Sequence, residues 1–170
     1  MKGAAPPGAA HDMIEEDKMT AAIDWTMEES MIRAMLQDWV NAIRAKDADA
    51  IVSCQSEPFV HYSLAPPLLS TASDKKGLND WFDTWEGPLG YEIHDLSITL
   101  GDSTAFCTSL NRLSGTKVGG DKNNLWLRQT LGLRKIDGEW KIVHEHESVP
   151  FYMDGSFKAA VDLEPSDSTK

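Results

Sequence analysis

Apolar positions along the chain follow two periods, one after the other. From Thr26 to about Lys46 the period is helical. Met31, Met35, Trp39 and Ile43 recur every four residues with Ile32 and Leu36 beside them, which predicts one buried helical stripe. Thr26-Met-Glu-Glu29 has the form of a capping box at the start of that helix. "KDADAIVSC" predicts a short second helix with Asp47 as its N-cap. Phe59 to Tyr62 reads as a strand, and the two prolines of "APPLLSTAS" make that run a connection. Ser73 or Asp74 caps a third helix whose stripe is Leu78, Trp81, Phe82 and Trp85, ended by Gly87-Pro88. Beyond this point the period drops to two. Tyr91–Leu100, Ser103–Ser114, Asn124–Ile136 and Trp140–Val149 read as four long strands, joined at Gly101-Asp102, at the loop "GTKVGGDKN" and at Asp137-Gly138. "GSFKAAVDL" predicts a short terminal helix capped by Ser156.

Strands joined by successive hairpins form an antiparallel sheet, so the helices have to cover one of its faces. The expected fold class is α+β: three helices from the N-terminal half packed on a curved, mainly antiparallel sheet. A cavity should lie between the two layers, a common place for a small-molecule ligand.

Length and charge narrow the picture. A chain of 170 residues suits one domain with loose ends. Residues 1–25, rich in Ala, Pro and Gly, read as a flexible arm; 26–163 read as the domain and 164–170 as a tail. A net charge of −11 makes nucleic acid and anionic membrane surfaces unsuitable partners. No apolar run is long enough to span a bilayer, the N-terminus lacks the apolar core of a signal peptide, and Cys54 and Cys107 form no paired motif. The expectation is a cytoplasmic protein. "GTKVGG" lacks the GK[ST] ending of a phosphate-binding loop, and there is no GxSxG nucleophile elbow.

Candidate chemistry gathers in the last strand, "WKIVHEHESVP". Residues two apart share a face. Unpaired carboxylates avoid an apolar interior. The alternation therefore predicts Glu145 and Glu147 outward, and His144, His146 and Ser148 inward with Ile142. Three roles are open to the two histidines. They can be structural, they can form an acid/base or ligand-binding pair, or they can hold a metal with His61 as the third ligand. With the carboxylates expected outside, neither metal nor cofactor is expected. On the preceding strand, Trp126 and Arg128 share one face and Leu125, Leu127 and Leu131 the other. Either face can line the cavity. If it is the first, Trp126 is an aromatic wall and Arg128 a cation for an oxyanion. Of Asn111 and Arg112 only one can look inward, and Asn111 is taken as the pocket residue. Tyr62, Trp81 and Trp85 are the candidate mouth, with core packing the simpler role for the two tryptophans.

Helix, helix, strand, helix and four long strands, together with "VHYSLAPPLLS", "YEIHDLSITLGDSTAFCTSLNRLSGT" and "LWLRQTLGLRKIDGEWKIVHEHESVPF", resemble the SnoaL-like and ketosteroid-isomerase-like members of the nuclear-transport-factor-two-like superfamily. The resemblance implies a cone-shaped domain, a pocket inside the cone and a homodimer formed through the sheet. It also implies an aspartate where this chain has Ser63, and a serine with no base beside it cannot replace a carboxylate as proton acceptor. The expected function is a small-molecule-binding cone domain. As an enzyme it would carry out cofactor-free proton transfer on a carbonyl compound, by isomerisation, cyclisation or dehydration, with His144 and His146 as base and acid and Arg128 on the oxyanion. The alternative is a non-catalytic dimerisation or ligand-sensing module.

Overall fold

A computed structural model of the protein describes residues 9–165. The expected arm therefore lies outside the described residues as far as residue 8; from Ala9 its backbone is helical. Helix α1 spans Ala9–Ala45, so Thr26 stands inside a helix instead of capping one, and its carbonyl accepts a hydrogen bond from Ser30 Oγ at 2.9 Å. The buried stripe of α1 is Ile32, Leu36, Trp39, Val40 and Ile43, whereas Met31 is 39% exposed. The four-residue repeat is correct, but its centre lies one residue further along than the methionines suggest.

Helix α2, Ala48–Ser53, begins at Asp47, whose side chain accepts from the Ala50 amide at 3.0 Å. Strand β1 covers Gln55–Tyr62. Helix α3, Lys75–Phe82, is capped by Asp74, which accepts from the Gly77 amide at 2.8 Å. Trp85 belongs not to that helix but to the start of β2, Trp85–Leu100. Strands β3 (Thr104–Lys117), β4 (Lys122–Ile136) and β5 (Glu139–Ser148) follow. The expected terminal helix is absent. Asp154 accepts from the Ser156 amide in a tight turn, Gly155 and Phe157 have positive φ, and Phe151 bridges Ala159, so this segment doubles back on itself.

Three helices pack on an open five-stranded sheet of order β1-β5-β4-β3-β2, antiparallel except where β1 runs parallel to β5. The fold class is α+β, as expected. Helix α1 is tied to the far end of the sheet through Glu28, which accepts from Trp140 Nε1 at 2.7 Å and pairs with Lys135. The helix-facing side of the sheet carries Cys107 and Leu113 of β3, Leu127, Leu131 and Leu133 of β4, and Trp140 and Ile142 of β5, all buried.

One irregularity decides which side chains meet the cavity. On β5, Ile142 pairs with Leu133 but His144 pairs with Gly132, which leaves Val143 as an extra residue in the ladder. Such a β-bulge reverses the inward–outward phase of everything after it. Trp140 and Ile142 face inward before it, and Glu145 and Glu147 face inward after it. Strand β1 follows the same phase: His61 pairs with Glu145 and Tyr62 with His146. The expected arrangement of this strand is therefore inverted. The bulge also explains the glycine opposite it, since a Cβ on Gly132 would sit 3.0 Å from His144 Cβ. Gly132→Ala is expected to lower stability by about 1–3 kcal/mol, because the bulged backbone gives His144 little room to retreat. Urea unfolding of the two proteins measures this.

Candidate functional site

Between the helices and the inner face of the sheet lies a cavity of about 370 Å³. Its walls are largely apolar, with Trp39 and Ile43 of α1, Ile51 of α2, Phe59 of β1, Leu78 and Trp81 of α3, and Leu113 and Leu127 of the sheet. The connection from Ser63 to Ala72 borders its mouth. The residue preceding "LAPP", Ser63, does line the cavity, and its hydroxyl accepts from the Ala65 amide at 3.3 Å.

The polar end is built from adjacent strands. His61 of β1 and Glu145 and Glu147 of β5 present ligating atoms that all lie within 4.8 Å of one another. Glu145 is 6% exposed and accepts from Gln129 Nε2 at 2.9 Å. Burial, reinforced by the neighbouring charge of Glu147, pushes its carboxyl up to about 8. His61 Nε2 stands 3.8 Å from Glu147 Oε2, too long for a hydrogen bond, so the attraction between them is electrostatic. Burial opposes the charged imidazole, but the carboxylates of Glu147 and Glu145 outweigh it and hold His61 above its ordinary value. Three such groups can share a proton, and by type and spacing they can also share a divalent cation.

A closed set of hydrogen bonds supports this cluster from behind. Asn111 Nδ2 donates to Tyr91 Oη at 2.8 Å and to Gln129 Oε1 at 2.7 Å. Gln129 Nε2 donates to Tyr91 Oη at 3.3 Å as well as to Glu145. Ser109 Oγ donates to Asn111 Oδ1 at 2.8 Å. The amide donors of Asn111 and Gln129 are thereby used up, and both acceptor positions of the Tyr91 oxygen are filled. The hydrogen of that phenol is left over, and Tyr91 lines the cavity. Burial holds the phenol well above its ordinary value, with the charges of Glu147 and Glu145 adding to the effect, so it remains a donor. Trp39 braces the ring edge-on at 5.5 Å.

The residues singled out from sequence divide between the two faces of the sheet. His61 and Trp81 line the cavity, and Asn111, fully buried, takes part in its supporting network. His144 and His146 do not enter it. They flank Tyr62 on the outer face, at ring distances of 5.4 and 5.5 Å, because the bulge at Val143 turns them outward. Burial, then the nearby His146, lowers the His144 imidazole. Arg128 is exposed and pairs in register with Ser148, so these two share the outer face as well. Trp126 packs at a tilt against His94, with ring centres 4.8 Å apart, rather than forming a cavity wall. Of the two faces open to β4, the leucine face lines the interior. Glu145, Glu147, Tyr91 and Gln129 were not among the candidates. Gln129 had a legible signal: it interrupts the inward series Leu125, Leu127, Leu131, Leu133, and a polar side chain there has to be hydrogen-bonded.

Comparison with known proteins agrees with this architecture. The family pattern of the SnoaL-like domain matches residues 32–152. An NTF2-like protein of unknown function from Pseudomonas putida KT2440 is 26% identical, with a TM-score of 0.73 over 82% of this chain and 98% of that one. A ketosteroid isomerase-like protein from Erwinia carotovora atroseptica is 20% identical, with a TM-score of 0.58 over 70% and 93%. The CaMKII hub of S. rosetta is 18% identical, with a TM-score of 0.56 over 70% and 94%. No curated protein matches the sequence. Among the described residues no helix is long and apolar enough to cross a membrane. With five strands in this order, helices over one face and more than two thirds of its length matching the pattern, the chain belongs to the SnoaL-like domain family of the nuclear-transport-factor-two-like superfamily.

Proposed function

We propose that the cavity binds an apolar carbonyl compound and moves a proton on it with the protein's own side chains. The observation that carries this reading is Glu145, a carboxyl buried beside a second carboxylate at the end of an apolar cavity. Burial keeps its proton in place to about pH 8. A pair of carboxyl groups whose environments separate their proton affinities divides into an acid and a base. Glu147, facing the cavity without a hydrogen bond to a protein donor among the described residues, is the base that takes a proton from the carbon next to the carbonyl. Glu145 and the leftover Tyr91 hydrogen donate to the oxygen on which charge develops. His61 stabilises the charge on Glu147 from one side.

The serine at position 63 does not remove this chemistry, because the acceptor carboxylate, Glu147, comes from β5 instead. Solvent exchange of the hydrogens next to the carbonyl of 2-tetralone, followed by proton NMR in D2O, tests the reading. Exchange is expected to run at least tenfold above the buffer rate. Binding of the ketone with exchange at the buffer rate would leave a ligand-binding module and sink the proton-transfer role.

A second observation favours association of the chain with itself. The outer sheet face presents Phe106, 51% exposed, together with Tyr62, Trp126 and the two histidines. We assign this face to a homodimer contact, consistent with the likeness to the CaMKII hub. Sedimentation velocity of the wild type and of Phe106→Glu checks it, with a shift toward monomer expected in the variant.

A further inference from the structure

We propose that Glu147 makes the cavity selective by charge: it admits apolar ligands whose polar end is neutral or a protonated amine, and it shuts out organic acids. This rests on the reading above in placing the ligand's polar end at the β5 carboxylates. Besides the Tyr91 phenol, which burial keeps protonated, the ionisable groups lining the cavity are His61, Asp74, Glu145 and Glu147; neither lysine nor arginine is among them. Arg128, the cation expected to meet an anionic oxygen, stands on the other face of the sheet.

The two carboxyl groups differ in what they leave open to a ligand. One oxygen of Glu145 is occupied by Gln129, and that amide is itself locked by Asn111. Glu147 accepts no hydrogen bond from a protein donor among the described residues, and its closest partner is His61 at 3.8 Å. Its side chain is only 16% exposed. A carboxylate largely removed from water, with the His61 ring beside it but no donor within hydrogen-bond distance, still lacks the direct hydrogen bond that an ammonium group supplies. The same carboxylate repels a ligand carboxylate across a low-dielectric space, where the repulsion is least screened. The walls add to the preference. Trp39, Phe59 and Trp81 present aromatic rings around the volume, and ring faces attract an organic cation.

Three ligands that share a naphthalene body test the selectivity: 2-(aminomethyl)naphthalene, 2-acetonaphthone and 2-naphthoic acid. Their affinities for the full chain are measured by calorimetry at pH 7.5. The amine is expected to bind at least tenfold more tightly than the acid, with the ketone measurable between them. In Glu147→Gln the ratio of amine to acid is expected to fall below threefold while ketone affinity holds. An acid that binds the wild type as tightly as the amine overturns the selectivity and leaves the carbonyl-binding reading in place. So does a ratio unchanged in a folded Glu147→Gln protein. Failure of all three ligands to bind overturns both. The wild-type comparison alone decides the question if the variant does not fold.

Discussion

Glu147→Gln is expected to lower the rate of 2-tetralone exchange by about 10²–10⁴-fold, the range typical for loss of a positioned general base. A glutamine has nearly the same shape, so the cavity keeps its walls and ketone affinity should change little. The loss should therefore fall on the rate at saturating ketone. The placement of the other candidates sharpens the test. His144→Ala and Arg128→Ala alter the outer face of the sheet and should leave exchange within about twofold of wild type, far below the effect of losing a general base. If those two variants lose exchange and Glu147→Gln keeps it, the catalytic assignment to the inner face is wrong.

Glu145→Gln is expected to stabilise the protein at neutral pH and to cost it activity. The carboxyl of Glu145 rises from an ordinary value of 4.5 to about 8 in the folded chain. Between those values the folded state holds a proton that the unfolded state has released, so stability falls as pH rises through this window. Each pKa unit corresponds to about 1.4 kcal/mol, so the penalty reaches about 3 kcal/mol by pH 7. The groups facing Glu145 are Glu147 on its own strand, His61 on β1, Gln129 on β4 and, through Gln129, Tyr91 on β2. His61 acts in the same direction. Its raised affinity for a proton contributes stability that is present below its ordinary range and is lost as pH rises past its folded value. Glutamine at position 145 removes the larger of these dependences and still accepts from Gln129. Urea unfolding at pH 5 and pH 7.5 should show the variant's advantage at the higher pH only. An equal effect at both pH values would mean that Glu145 is ionised in the folded protein.

Such a cost is what a site residue leaves behind. An apolar side chain would fill the position of Glu145 more stably, and the surrounding Asn111–Gln129–Tyr91 network serves to keep a carboxyl oriented where burial disfavours it. Stability and the proposed chemistry therefore pull against each other at one residue.

The sequence by itself determined the types and order of the elements as far as the last strand, and the fold family. Helical spacing in Ile32, Leu36, Trp39 and Ile43, turn chemistry at Asp137-Gly138 and period-two strands from Tyr91 onward are local signals, and each survives in the folded chain. It also marked Asn111 and the final strand as places of interest. Not every local signal held. Thr26-Met-Glu-Glu29 has the residues of a helix start, but the helix continues through it. The face on which the last strand places its charges was decided by the tertiary structure alone. Alternation in "IVHEHES" is consistent with either phase, and burial cost argues for histidines inside when the strand is taken as regular. Val143, unpaired opposite Gly132 and Leu133, breaks that regularity. A bulge depends on how two strands meet, so its position is not written in either strand alone. By adding one residue to the ladder it carries Glu145 and Glu147 into the cavity, where Gln129 of the neighbouring strand and His61 of β1, far away in sequence, await them, and turns both histidines out.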